Sequence, residues 1–127
     1  MVINIQAVKN AEWDVVTEDI RTVKKACGET VLKVIIETDY LTKEEIVEAC
    51  KCAIAAKADF VKTSTGFVNG GVSAKAEDVK LMYETVKDAG LRVKASGGIR
   101  DRQAAEAMVA AGASSLGTSS GIKIVEG

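Results

Sequence analysis

Apolar positions along the chain follow two alternating rhythms. Short runs rich in β-branched residues occupy positions 2–5, 31–36, 60–63, 91–94 and 115–118. Their starts are 29, 29, 31 and 24 residues apart, close to the ~30 residues of a strand–helix–strand unit. Between them apolar residues recur at helical spacing: Val16, Ile20, Val23 and Cys27; then Ile46, Val47, Cys50, Ala53 and Ile54. Val79, Met82, Tyr83 and Val86 follow, and then Ala104, Ala105, Met108 and Val109. Each set predicts a helix with one apolar stripe and charges such as Glu18, Asp19, Lys24 and Lys25 on its other faces. Start and stop signals agree. Thr42-Lys-Glu-Glu45 is a capping box, Ser73 and Asp101 are expected N-caps, and Gly28, Gly90 and Gly112 stand where helices end.

Strands separated by helices run parallel through right-handed crossovers. The expected class is therefore α/β, in a single domain over residues 1–127. Two architectures accommodate five such units. One is an open five-stranded, flavodoxin-like sheet. The other is part of a (β/α)8 TIM barrel, a fold that normally takes ~250 residues. Periodicity fits both.

Composition narrows the chemistry. Hydrophobic residues make up 47% and charged residues 28%, which excludes a disordered chain. A formal net charge of −1 without a basic block argues against a nucleic-acid partner. No apolar run is long enough for a membrane span, and no signal peptide is expected. There is no histidine, so Ser-His-Asp and Cys-His catalysis and His-ligated zinc are excluded within this chain. There is no proline either. Cys27, Cys50 and Cys52 form neither a C-x-x-C motif nor an even disulfide set. They read as helix-packing residues in a reducing, cytoplasmic setting.

Lysines interrupt three of the strands: Lys33, Lys62 and Lys94. Lys62 and Lys94 fall at the C-terminal ends of consecutive strands, the edge where α/β proteins build their sites. Neighbouring parallel strands lie ~4.8 Å apart, so two lysines facing the same side would be close. Desolvation and a nearby like charge both disfavour an ammonium. A lysine kept neutral in this way can attack a carbonyl and form a Schiff base. The simpler alternative is that each lysine reaches solvent or pairs with Glu37 or Asp59.

Glycine-rich loops follow the same strands: Thr63-Ser-Thr-Gly66 with Asn69-Gly-Gly71, Ala95-Ser-Gly-Gly98, and Gly117-Thr-Ser-Ser-Gly121. Such loops let main-chain N–H groups approach an anion. Gly66 and Gly71 have P-loop spacing, but Val72 stands where the P-loop lysine is required, and no G-x-G-x-x-G follows the first strand. Tight strand–helix turns would explain the glycines equally well.

Four segments in order resemble the deoxyribose-phosphate aldolase family: Leu32-Lys-Val-Ile-Ile-Glu37, Phe60-Val-Lys-Thr-Ser-Thr-Gly66, Val93-Lys-Ala-Ser-Gly-Gly-Ile-Arg100 and Gly117-Thr-Ser-Ser-Gly121. The resemblance runs over nearly the whole chain and implies strands four to eight of a (β/α)8 barrel. It also implies a class I aldolase without metal or cofactor. Such an enzyme cleaves 2-deoxy-D-ribose 5-phosphate to acetaldehyde and D-glyceraldehyde 3-phosphate. By motif match Lys62 is the Schiff-base lysine, Lys94 the lysine that depresses its pKa and moves protons, and Lys33 a further polar support. Gly66, Gly97, Gly98, Ser119 and Ser120 match phosphate-binding positions, and Thr65 neighbours the substrate hydroxyl.

Two departures stand out. The family's catalytic aspartate would sit just before the segment that begins Met1-Val-Ile-Asn, and neither Asp14 nor Asp39 lies in a matching motif. Phe67 stands where some members carry a phosphate-holding lysine. A partial barrel would also expose sheet edges and an inner face, so a homo-oligomer is expected, most simply a dimer. The competing reading is an inactive half-barrel that binds phosphate without turnover.

Overall fold

The computed structural model describes residues 1–68, 70 and 74–127. The expected N-cap Ser73, together with Asn69, Gly71 and Val72 of the glycine-rich loop, lies outside the described residues.

The chain opens with a segment that adds a rudimentary strand. Val2 bridges Ile35 in parallel, and Met1 and Ile3 exchange main-chain hydrogen bonds with the strand that follows. The run expected over 2–5 is thus cut short. The Asn4 side chain accepts from Ala7 N at 3.0 Å and caps a helix, α1 (Ile5–Lys9), before the strand can continue. Next come α2 (Trp13–Cys27), β1 (Lys33–Ile35), α3 (Lys43–Ala55) and β2 (Phe60–Lys62). The chain continues through α4 (Ala76–Val86), β3 (Arg92–Ser96), α5 (Arg102–Ala110), β4 (Ser115–Gly117) and α6 (Gly121–Glu126).

The caps follow the chemistry of their residues. Thr42 and Glu45 form the full reciprocal box at α3. Asp101 accepts from Ala104 N at 2.8 Å and starts α5. At α4 the N-cap position belongs to Lys75, and its side chain makes no capping bond.

All strand pairs are parallel, and the order is β1-β2-β3-β4. Each strand therefore lies beside its immediate predecessor. A doubly wound sheet must reverse its order at a switch point. No reversal occurs among the described residues, so the flavodoxin-like alternative is set aside and the sheet is a segment of a (β/α)8 barrel.

The two faces of the sheet differ. Val34, Val61, Val93 and Ala95 are fully buried on the helix side with Ile46, Val79 and Met82. Burying each large aliphatic side chain contributes about 1.5–3 kcal/mol. Side chains alternate along a strand, so Lys33, Phe60, Lys62, Arg92, Lys94 and Ser96 share the opposite face. In a closed barrel that face points inward.

The cysteines pack as expected, with one refinement. Cys50 and Cys52 point in different directions on α3, yet both are buried, because α2 and α4 cover the helix on two sides. The Cys52 thiol donates to Trp13 O at 3.6 Å. Burial, with the neighbouring Cys52 second, pushes the Cys50 thiol up to about 12, so it is an inert packing group.

Candidate active site

Parallel register sets the centre of the site. Lys62 on β2 is the direct partner of Lys94 on β3. Period-two alternation then places both amines on the inner face at the C-terminal strand edge. Burial is the largest influence lowering the Lys62 pKa, followed by the charges of Lys94 and then Lys33, with Glu37 acting in the opposite sense. The anticipated pair is thus assembled on neighbouring strands.

Lys33 occupies a lower tier. It is level with Phe60 rather than Lys62, and its ammonium lies 4.7 Å from the centroid of the Phe60 ring. Arg92 covers the same ring at 4.6 Å. Phe60 is thereby buried on the face opposite the helix side. The charge of Lys33 is felt at Lys62, but Lys33 does not line the cleft above.

That cleft has a volume of about 460 Å³ and opens at the C-terminal ends of β2, β3 and β4. Lys62, Thr65, Gly66, Gly97, Gly98 and Ser119 all line it. Gly97 and Gly98 have φ of 102° and 78° in succession, a conformation that side chains disfavour. The glycine pair lets the main chain form the cleft wall directly after β3.

Ser120 is placed differently. It lies outside this cleft, and its N–H donates to Thr118 Oγ1 at 2.9 Å. The Thr118 hydroxyl in turn donates to Ile99 O at 2.6 Å, tying the loop after β4 to the loop after β3.

The floor is a buried hydrogen-bond lock. Thr63 Oγ1 donates to Ser96 O at 2.9 Å and accepts from Ser96 N at 3.0 Å. Ser96 Oγ donates to Ser64 O at 2.7 Å. These bonds fix the ends of β2 and β3 relative to one another, and with them the two lysines.

Further residues belong to the site beyond those given individual roles from the sequence. Ser96, Arg100 and Gly117 line the cleft. Arg100 brings a cation to its rim, and its place in the Gly-Gly-Ile-Arg segment was the available signal. Gly117 gives room to Lys94. Glu37 is buried at 4% exposure, with Oε1 accepting from Thr65 N at 3.2 Å and Oε2 from Thr65 Oγ1 at 2.7 Å. In the sequence it stood as a possible ion-pair partner and as the last residue of the Leu32–Glu37 segment, without a role in the site.

The geometry therefore offers a desolvated amine, a second amine beside it, and an adjoining glycine-lined cleft with a cationic rim. That arrangement suits carbonyl capture by an amine and retention of an anionic tail.

Comparison with known proteins agrees. The profile of the DeoC/LacD family aldolases matches residues 1–127. The chain is 56% identical over 128 residues to a deoxyribose-phosphate aldolase of Exiguobacterium sp., covering 100% of this chain and 56% of that relative. It is 57% identical over 127 residues to the Finegoldia magna deoxyribose-phosphate aldolase, covering 58% of it. A solved structure described as QR15, an aldolase, superposes with a TM-score of 0.88 at 46% identity, over 98% of this chain and 55% of that one. The deoxyribose phosphate aldolase of Aeropyrum pernix, described as tetrameric, gives 0.82 at 33% identity, over 90% and 49%. The chain thus spans just over half the length of the curated relatives it matches. Motif order, barrel-segment topology and these matches converge: the chain belongs to the DeoC/LacD family of aldolases.

Proposed function

We propose that the chain carries the Schiff-base chemistry of a class I aldolase, cleaving 2-deoxy-D-ribose 5-phosphate to acetaldehyde and D-glyceraldehyde 3-phosphate. The observation that carries this reading is the in-register pairing of Lys62 with Lys94 at the C-terminal strand edge. The glycine-lined cleft beside it, with Gly66, Gly97, Gly98 and Ser119, is the phosphate end.

In the proposed sequence the neutral Lys62 amine attacks the aldehyde carbon, and a proton shifts from nitrogen to oxygen. The resulting hydroxyl leaves as water with a proton from the Lys94 ammonium, giving the protonated imine. Neutral Lys94 then takes the proton of the C3 hydroxyl. The C2–C3 electron pair moves into the imine, releasing glyceraldehyde phosphate and leaving an enamine. Lys94 returns its proton to C2. Addition of water and collapse of the adduct release acetaldehyde and restore both lysines. No metal or organic cofactor enters this scheme.

The test is borohydride trapping with acetaldehyde. Mass mapping is expected to find one ethyl group on Lys62. Absence of an adduct there overturns the reading. A second reading, phosphate binding without turnover, draws on the chain's coverage of 56% of a curated relative. It predicts phosphate affinity with neither adduct nor cleavage.

A homo-oligomer is part of the same proposal, most simply a two-fold dimer covering the open barrel. The outer edge of β4 has no strand partner among the described residues, and such edges favour association. Sedimentation is expected to show a mass that rises with concentration, and a monomer at every concentration overturns the dimer. Free Cys27, Cys50 and Cys52 suit the cytoplasm.

A further inference from the structure

Glu37 departs from what its position predicts. It lies two residues beyond β1, where a covered strand end should be apolar, yet it is a carboxylate with only 4% of its surface exposed. Its backbone is left-handed, with φ 55° and ψ 66°, a conformation side-chain-bearing residues seldom adopt outside constrained sites. Both of its oxygens are committed to one residue. Oε1 accepts the Thr65 N–H at 3.2 Å and Oε2 accepts the Thr65 hydroxyl at 2.7 Å. Thr65 Oγ1 in turn accepts from Phe67 N at 3.3 Å. The bond pattern runs from β1, across the end of β2, into the turn that carries Thr65 and Gly66 on the cleft wall.

We propose that Glu37 is a positioning residue for the lysine site, clamping Thr65 with both oxygens and thereby holding the Thr65–Gly66 turn, and a negative charge, beside the Lys62 end of β2. The proposal rests on the aldolase reading for its chemical purpose, while the clamp is testable without it. A carboxylate suits the task because both of its oxygens accept, matching the two donors of Thr65. An amide would match only one of them unless the hydroxyl turned round.

The charge has a second consequence. Lys62 is faced by Lys94 from β3 and Lys33 from β1, both of which favour its neutral form, and by Glu37, which favours the ammonium. Glu37 therefore limits how far the two neighbouring cations can discharge the amine. The site holds Lys62 between opposing influences, as a group that must both attack a carbonyl and be released from an imine requires.

The experiment uses the full chain with ¹³C-labelled lysine and follows the Lys62 ε-carbon through a pH titration, assigned with Lys62→Ala. Glu37→Gln is expected to move the Lys62 midpoint to lower pH, and the Thr65 amide to exchange with solvent about tenfold faster or more. Thr65→Val keeps the carboxylate, so its Lys62 midpoint should stay closer to that of the parent. Superimposable titrations and unchanged Thr65 exchange in Glu37→Gln overturn the proposal. If Glu37→Gln does not fold, Glu37→Asp decides instead: a carboxylate one methylene shorter cannot reach both Thr65 donors, so faster exchange of the Thr65 amide is expected, and parent-like exchange overturns the proposal. Borohydride trapping of the parent chain separately tests the aldolase reading. A parent that forms no adduct, but whose Lys62 and Thr65 respond as described, keeps the clamp and loses the chemistry.

Discussion

Gly117 on β4 makes room for Lys94 on β3: a β-carbon there would stand 3.2 Å from Lys94 Cε and 2.9 Å from Ser96 Cβ. The smallest residue on one strand thus sets the path of a long side chain on its neighbour. Gly117→Ala is expected to displace the amine from the Lys62 side of the cleft. It should cost about 1–3 kcal/mol of stability through overpacking and lower the rate of aldehyde trapping at Lys62. Urea denaturation and trapping kinetics on the same preparation check both parts. Parent-like trapping would show that Lys94 does not depend on this space.

Removing the second amine has a definite sign. The Lys94 charge lowers the pKa of Lys62, so Lys94→Met is expected to raise it. Less neutral amine is then present near neutrality, and trapping slows there while recovering at alkaline pH. Turnover, if measurable, should fall by about 10²–10⁴-fold, because proton transfer is lost as well. The pH dependence of the trapping rate is the deciding measurement, and a profile unmoved by the substitution contradicts the assignment.

On the opposite side of the sheet, Gly112 ends the α5 turn with φ of 119°, and an added β-carbon would run into the Tyr83 side chain of α4, including its Cβ at 2.6 Å. Gly112→Ala is expected to destabilise by about 1–3 kcal/mol. Part of that loss should disappear in a Tyr83→Ala background, since the two residues share one contact. A double-mutant cycle from thermal or urea melts checks the coupling. Additive losses would assign the cost to the backbone and to the Cβ that alanine retains at position 83.

Asp59 couples stability to pH at the other end of the strands. A 2.7 Å bond from Lys24 is the main cause of its lowered pKa, followed by a 2.8 Å bond from the Leu32 N–H. The folded value therefore lies below the unfolded ~3.9. The stabilisation is present above that unfolded value and is lost as pH falls through the folded one. The carboxylate is 37% exposed, so solvent screens the pair. Asp59→Asn is accordingly expected to cost about 0.5–1 kcal/mol near neutrality, with the difference from the parent vanishing in acid. Urea midpoints compared at neutral and strongly acidic pH check this.

The fold was most legible where side-chain periodicity and short-range hydrogen bonding agreed. Thr42, Glu45 and Asp101 cap the helices they announce, and most of each apolar stripe of α2 to α5 faces the core, although Tyr83 and Val109 are exposed. The run at 2–5 misled because Val2 and Ile5 are good strand formers, whereas the side chain of Asn4 between them caps a helix. The six residues of α6 carried too few turns for a stripe to stand out. Within the site, the nearness of Lys62 and Lys94 was readable, because both stand at the C-terminal ends of consecutive parallel strands. Glu37 was not. Its left-handed backbone and its bonds to Thr65 depend on a contact between residues 28 positions apart. The lower tier of Lys33 depends on register as well, and no single strand reveals that.

Because every strand lies beside the one before it, the sheet can grow in the order in which the polypeptide emerges. Each new unit docks on a finished edge, and no partner must wait for a distant segment. Such nearest-neighbour assembly keeps loop closures short and favours rapid folding. It also leaves the last addition least supported. All three residues of β4 are half-buried, while Val61 of β2 is fully enclosed. Amide exchange should therefore fray inward from β4, with the β2–β3 junction the last to open.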